Sequence, residues 1–206
     1  MNDISISRGA RLALAVAIVL FLTLLFLILF FIIGQPFGAL SDASIGLGAI
    51  LSAVLGWALY PMHHARASHA SRIGFGATAV GAVLAVLGST SVISRITGFV
   101  LADWFTATGY ALIGVWLLLF CDAARRAEWL PRGLTNFGLA AAASLLFGFL
   151  AVPGILSKSD SIDALQAWYL AASQISYLGM FFLFPAWCIR LWRYLSSQAR
   201  AVVTVG

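Results

Sequence analysis

The chain has 206 residues, of which 62% are hydrophobic and only 9% are charged, and its formal net charge is +5. A soluble domain carries roughly 25% charged residues, because its surface must face water. The composition therefore excludes a soluble protein and predicts one all-α integral membrane domain over residues 1–206.

Six apolar segments follow one another along the chain, and each is long enough to cross a bilayer core about 30 Å thick, which takes roughly 20 helical residues. The first is too long for a secretory signal, and we interpret it as a retained anchor. Pro61 is expected to end the second. The predicted transmembrane helices are residues 12–33, 40–60, 73–93, 104–121, 137–156 and 167–189.

Basic residues are distributed unevenly between the two sides of this predicted bundle. With six spans, both termini and the second and fourth connections share one side, which holds ten of the 12 Lys and Arg residues. Only Arg95 and Lys158 lie on the other side. Cytoplasmic connections retain basic residues, so both termini are predicted to be cytoplasmic. The positive charge then attracts anionic membrane lipids and requires no nucleic-acid partner.

Small residues recur at every fourth position in three of the spans, where they allow the close backbone approach on which helix packing in lipid depends. We expect these three spans to form the centre of the bundle. The Leu- and Phe-rich first span is expected at the periphery, against lipid or another protein. The small residues are Ser44, Gly48, Ser52 and Gly56 in the second span, Ala77, Gly81, Ala85 and Ser89 in the third, and Ala140, Ser144 and Gly148 in the fifth.

Two pairs of spans have related sequences. Gly56-Trp57-Ala58-Leu59-Tyr60 precedes one basic connection, and Gly114-Val115-Trp116-Leu117-Leu118 precedes the other. Both pairs have the same orientation, which predicts a parallel repeat of two helical hairpins.

Three short motifs resemble a family of small bacterial membrane proteins that is known only as a domain of unknown function. They are Ala58-Leu59-Tyr60-Pro61, Ala102-Asp103-Trp104, and Trp129-Leu130-Pro131-Arg132-Gly133-Leu134 with Gly138 following. The resemblance covers residues 40–190 and implies a multi-pass protein of the bacterial inner membrane with six spans. It implies no catalytic residues.

Ionisable side chains inside a membrane are the best sequence sign of function, and the middle of the spans has neither Lys nor His. A retinal Schiff base and a transmembrane bis-histidine haem are therefore excluded, and no cofactor is expected. His63, His64 and His69 cluster in the second connection, where no Cys or carboxylate completes a tetrahedral metal site. We interpret this connection as a solvated loop, with metal binding as the alternative, and predict neither a metal site nor a catalytic site.

Polar residues of the sixth span are the main candidates for ligand binding. Ser173, Ser176 and Tyr177 share a helix face, whereas Gln174 points elsewhere unless the helix rotates, and an unpaired amide costs several kcal/mol in lipid. We therefore expect Gln174 to find a partner within the bundle, for which Thr106, Thr108 and Tyr110 of the fourth span are candidates. Either these residues join helices, or they line a small ligand pocket in the outer half of the bundle.

Arg95 and Asp103 bound the connection before the fourth span and are the candidate interaction residues. They either pair with each other or contact a partner.

Two functions follow from these observations. The first is a non-catalytic membrane subunit or scaffold that docks to a larger complex of membrane proteins, with the first helix as a contact face. The second is a small transporter or a substrate-binding membrane component. An enzyme is not expected.

Overall fold

The computed structural model describes residues 3–158 and 167–203, with the side chains of residues 6–158 and 173–200. Within these ranges all regular secondary structure is helical. The α-helices are α1 (Asp3–Ile33), α2 (Phe37–His64), α3 (Ser68–Ile93), α4 (Phe99–Arg126), α5 (Arg132–Leu146), α6 (Val152–Ser157), α7 (Ala167–Leu178) and α8 (Phe184–Val203). A 3-10 segment, Phe147–Ala151, joins α5 to α6, and a π-helical segment, Gly179–Leu183, joins α7 to α8.

Six helical stretches of 26 to 28 residues are long and apolar enough to cross a membrane, which confirms the predicted all-α protein with six transmembrane helices. We call the end of the bundle that holds the α2–α3 and α4–α5 connections the basic end, and the other end the opposite end. The stretches are Ile6–Ile33, Phe37–His64, Ser68–Ile93, Phe99–Arg126, Arg132–Ser157 and Ser173–Arg200.

At the basic end the helices extend beyond the predicted spans. α1 begins nine residues before residue 12, and α8 continues to Val203. The side chain of Leu195 lies against Gly9, so the two extensions pack on each other. The prediction that Pro61 ends the second span is wrong. Proline removes only one N–H from the helix, and α2 continues through His63, which is buried against α4.

The centre of the bundle is α4, and not the second, third and fifth spans as expected. Of its apolar stretch 72% is buried, against 39% for α2 and 33% for α3. The reason is that α4 has small residues on two different faces. Gly109 lies against α3, whereas Gly114 lies against Ala142 and Leu145 of α5. Five residues correspond to 140° around a helix, so no single stripe contains both.

The backbones of α3 and α4 approach each other closely. A Cβ atom on Gly81 would overlap the carbonyl oxygen of Gly109, and one on Gly109 would lie 2.5 Å from the carbonyl oxygen of Gly81. At one end of the same interface, Gly88 lies equally close to the backbone of Ala102. Gly81 belongs to the predicted stripe of α3, whose members Gly81, Ala85 and Ser89 are buried. The two backbones meet because neither carries a side chain there.

Two serines join α5 to α7. Ser144 Oγ donates a hydrogen bond to the backbone oxygen of Ile175 at 2.5 Å, and Ser176 Oγ donates to that of Leu145 at 3.5 Å. One turn further along, Gly148 lies against the backbone of Ala107 in α4. Gly148 belongs to the 3-10 segment, and the short α6 follows this segment. Pro153 of α6 lacks the N–H that a continuous helix would need.

The first helix divides into two halves with different surroundings. Its N-terminal half packs on α2 and α8 through Ala10, Ala13 and Ala17, so the expectation of a peripheral helix is wrong for this half. Beyond Leu20 the side chains become exposed, and Phe31 is 78% exposed. In this second half, α1 packs mainly on α2, where Ser41 Oγ donates to the carbonyl oxygen of Thr23 at 3.3 Å.

The π-helical segment between α7 and α8 has a sequence cause. Pro185 has no N–H to donate to Phe181 four residues earlier, and its ring crowds that carbonyl group. A wider turn relieves this conflict and inserts an extra residue into the helix, which is how π segments arise. α7 therefore has a different direction, and a different rotation about its axis, from those that a regular continuation of α8 would have.

We predict that Gly81→Leu strongly destabilises the bundle, because a side chain at this position must separate two backbones. Overpacking typically costs about 1–3 kcal/mol, and we expect the upper part of this range in an SDS unfolding titration of the purified protein. The matched control is Gly76→Leu in the same helix, where a Cβ atom meets nothing within 4 Å. Equal stability of the two variants would contradict the proposed role of the contact.

Candidate functional site

Predicted site residues from two distant parts of the sequence meet at the opposite end of the bundle. Tyr177 of α7 donates a hydrogen bond from its hydroxyl group to Oδ1 of Asp103 in α4, across 74 positions in the chain. The ring of Tyr177 stacks on that of Phe181 at 5.9 Å. Sequence analysis treated Asp103 and Tyr177 as members of separate sites, and the fold joins them.

Arg95 does not pair with Asp103 in the part of the chain that the structure describes. Its side chain is exposed, and its backbone adopts a left-handed conformation, with φ of 55°, after the end of α3. Asp103 lies four residues inside α4 and is directed to Tyr177. The other alternative, that Arg95 contacts a partner, stays a prediction.

A second carboxylate approaches Asp103. Asp42, in the second turn of α2, is close enough to interact electrostatically with Asp103, and both side chains are partly exposed. Two carboxylates near each other repel when both are ionised. Among the described side chains, none of the arginines or lysines forms an ion pair with either carboxylate. Asp42 and Asp103 therefore have no ion-pair partner among the described residues, and Asp103 accepts a hydrogen bond from the phenol of Tyr177.

Tyr110 lies two turns after Asp103 on the same face of α4. Its hydroxyl group donates to the backbone oxygen of Ile45 at 2.9 Å, and its side chain is buried. Gly48 and Leu20 lie beside the hydroxyl group, so α1, α2 and α4 meet at this level. Tyr110 is therefore engaged with α2 and does not bind Gln174 as the sequence suggested.

Gln174 is exposed, so the expectation that its amide is buried in the bundle is wrong. The residue that joins the helices is Ser176. At 100° per residue, Gln174 lies next to Tyr177 on the flank away from Ser176, which faces α5. Ser173 is half-buried and also makes an interaction within the protein. Whether these residues bind a ligand stays a prediction.

The first and seventh helices diverge at the opposite end. α1 packs on α8 and on the π segment, whereas α7 packs on α4, α5 and the 3-10 segment, and the described parts of α1 and α7 share no extensive contact. Along the inward face of α1, Leu20 is fully buried, Leu24 and Leu27 are half-buried, and Phe31 is exposed. We call this region the α1–α7 cleft. It is bounded by Leu24, Leu27 and Phe31 of α1, Gln174 and Tyr177 of α7, and Asp103 of α4.

The basic end contains a different group of side chains. His63 was expected in a solvated loop, but it is the penultimate residue of α2 and is only 2% exposed, because α2 continues past Pro61. Cys121 and Cys188 are free and buried. In the described ranges, no three His, Cys, Asp or Glu residues are grouped as metal ligands.

Comparison with models of known protein families found no match, and neither curated proteins nor solved structures match the chain. The α1–α7 cleft is therefore interpreted from its own geometry. At this end of the bundle the Asp103–Tyr177 pair and the exposed Gln174 are the polar groups, and Leu27 and Phe31 are the apolar ones.

We predict that Tyr177→Phe lowers the free energy of unfolding by about 1–3 kcal/mol, the range for removing a hydrogen bond to a buried or charged group. The reason is that Asp103 loses its hydrogen-bond donor while its position in α4 is unchanged. An SDS unfolding titration measures the effect. Tyr60→Phe is the control, because the ring of Tyr60 packs on His64 and Phe75 without a recorded hydrogen bond from its hydroxyl group. Equal losses of unfolding free energy in both variants would show that the hydroxyl group of Tyr177 makes no specific contribution to stability.

Proposed function

We propose that the protein is a non-catalytic integral membrane subunit that docks to a larger membrane complex through the α1–α7 cleft. The observation that carries this proposal is the divergence of α1 from α7, which leaves Gln174 exposed and the Asp103–Tyr177 pair at the back. The occupant that fits best is a transmembrane helix of a partner protein.

A partner helix suits the cleft better than lipid tails do. Acyl chains offer no hydrogen bonds, so an amide such as Gln174 facing them is left unsatisfied at a cost of several kcal/mol. A helix that carries a polar side chain at this level would satisfy the amide, and polar contacts of this kind join helices in membranes. The apolar side chains of Leu27 and Phe31 provide the remaining contact area.

The proposal that the protein is not an enzyme rests in part on three intramembrane hydroxyl groups that are engaged in helix contacts. Ser41, Tyr110 and Ser144 each donate to a backbone oxygen of a neighbouring helix. These groups hold the bundle together, and a side chain engaged in this way is not available as a nucleophile or base.

A second candidate function is the binding or transport of a small ligand in the same cleft. Asp42 and Asp103 favour it, because two carboxylates with no described basic partner would bind a cationic group such as an amine. In this alternative the cleft would serve as the ligand pocket that the sequence predicts in the outer half of the bundle, with Asp103 in place of Tyr110 as a polar group.

We further propose that the protein lies in a bacterial inner membrane with both termini in the cytoplasm, as the resemblance to the uncharacterised family and the basic residues suggest. The side chains of Arg66, Arg125 and Arg193 are exposed at the basic end, where cytoplasmic lipid headgroups and solvent would surround them.

The docking proposal predicts a large assembly after gentle detergent extraction from the native membrane, observed by native gel electrophoresis and mass spectrometry. Gln174→Leu is expected to release the protein from that assembly without unfolding it, because the side chain is exposed. Gln198→Leu, which changes another exposed glutamine at the far end of α8, is the control and should leave the assembly intact.

A photo-crosslinking residue locates the contact. At Leu27, inside the cleft, it should capture the partner, whereas at Ile18, which is exposed on another face of α1, it should not. A wild-type protein that runs alone would contradict docking. If that species carries a small cation whose binding is lost in Asp103→Asn, the second candidate function replaces the first.

The orientation is tested by cysteine labelling in a background without Cys121 and Cys188. With a membrane-impermeant maleimide, Ser94→Cys at the opposite end should react in intact cells, and Ser68→Cys at the basic end only after lysis. Both serines are exposed at the ends of α3. The reverse pattern would contradict cytoplasmic termini.

A further inference from the structure

The basic end contains a cluster of aromatic rings that is separate from the α1–α7 cleft. Phe120 of α4 lies at its centre, and four rings surround it at centroid distances between 5.3 and 6.1 Å. Two of these rings come from connections or helix ends next to the membrane surface. They are His63 at the end of α2 and Trp129 between α4 and α5; the other two are Trp116 and Trp187.

Three ring nitrogens of this cluster have no hydrogen-bond partner among the described residues: Nε2 of His63, Nε1 of Trp129 and Nε1 of Trp187. Trp187 is fully buried within the bundle, whereas Trp129 lies in the connection between α4 and α5. The indole nitrogen can only donate. Buried polar groups in folded proteins nearly always have a partner, so Nε1 of Trp129 indicates that a group with acceptor atoms binds at this connection.

Arg66 is fixed beside Trp129. Its guanidinium carbon lies 5.1 Å from the centroid of the Trp129 ring, and its Nη1 donates to the backbone oxygen of Met62 at 3.1 Å. The side chain is exposed, and its remaining N–H groups are not engaged in any recorded bond. We call the group formed by His63, Arg66 and Trp129 the basic-end niche.

The charge around the niche is positive. Arg72 is exposed on the neighbouring helix α3. The two acidic side chains of the α4–α5 region are already paired: Asp122 with Arg126 at 3.0 Å and Glu128 with Arg132 at 2.8 Å. An anion that approaches the niche therefore meets unpaired arginines and neutralised carboxylates.

We propose that the basic-end niche binds the phosphate group of an anionic phospholipid. Phosphate oxygens only accept hydrogen bonds, which suits the guanidinium group of Arg66 and the indole N–H of Trp129. Basic groups between transmembrane helices at the membrane surface commonly bind such headgroups. The acyl chains would extend along the apolar sides of α2 and α3. This site is independent of the proposed docking function, since the α1–α7 cleft lies at the other end of the bundle.

The test is a titration of the purified full-length protein with phosphatidylglycerol, followed by native mass spectrometry, with phosphatidylcholine and inorganic phosphate as parallel probes. Arg66→Gln is expected to weaken the binding of phosphatidylglycerol about tenfold, and Trp129→Phe, which keeps an aromatic ring but removes the N–H, about threefold.

Two matched controls separate a built site from a diffuse charge effect. Arg125→Gln removes another exposed arginine at the same end, and Trp57→Phe changes a tryptophan of α2 that is 66% exposed. Both should bind phosphatidylglycerol as the wild type does. Unfolding of Trp129→Phe in the absence of lipid would remove that variant from the test, but Arg66→Gln changes an exposed side chain and keeps the proposal falsifiable.

Three outcomes would overturn the proposal. Equal losses in Arg66→Gln and Arg125→Gln would show that the basic end attracts lipid only through its overall charge. Equal binding of phosphatidylcholine and phosphatidylglycerol would show no preference for an anionic headgroup. Displacement of phosphatidylglycerol by inorganic phosphate at similar concentration would assign the niche to free phosphate.

Discussion

The architecture depends on the backbone contact between Gly81 of α3 and Gly109 of α4. In a bilayer, lipid tails are as apolar as leucine, so helices gain little from hiding apolar side chains and depend on close van der Waals packing. The two glycines allow α4 to lie deeper than any other helix, and Gly114 on its other side allows the same for α5. The remaining helices then pack around α4, and their order follows from which face of it is still free.

Polar side chains reinforce this arrangement. The hydroxyl groups of Ser41, Tyr110 and Ser144 each reach a carbonyl oxygen on another helix. Because a carbonyl oxygen has spare acceptor capacity even within a helix, these bonds connect helices without breaking their own ladders. The unbalanced polarity is thereby left to the two ends of the bundle: carboxylates and an amide at one, and ring nitrogens and arginines at the other.

The sequence predicted the helical class and the number of spans because apolar length alone determines both. It also identified small residues of α3 that are buried at its contacts. It could not identify α4 as the centre, since Gly109 and Gly114 lie on different faces and form no stripe. It also predicted a partner for Gln174 within the bundle, whereas this side chain is exposed. The orientation of Gln174 depends on the π segment, which shifts the rotation of α7 relative to α8, and a pattern that assumes a regular helix cannot include that shift. The pairing of Asp103 with Tyr177 depends on the same rotation and was not predicted.

The π segment also explains why a cleft exists on this side of the bundle. At the basic end α8 follows α1 closely, and a regular helix would continue along α1 to the other membrane surface. Pro185 prevents this continuation by removing one N–H and crowding the preceding turn. The chain then changes direction at Gly179–Leu183, and α7 packs on α4 and α5 instead of α1.

α1 is held by α2 through Ser41 and does not follow. Pro185, near the middle of the last span, therefore separates α7 from α1, although α8 packs on α1 at the basic end. It also exposes Gln174 beside the Asp103–Tyr177 pair. The polar wall and the opening next to it have a common structural origin, which is why we assign the contact with a partner to this cleft and not to the larger apolar surfaces of α2 and α3.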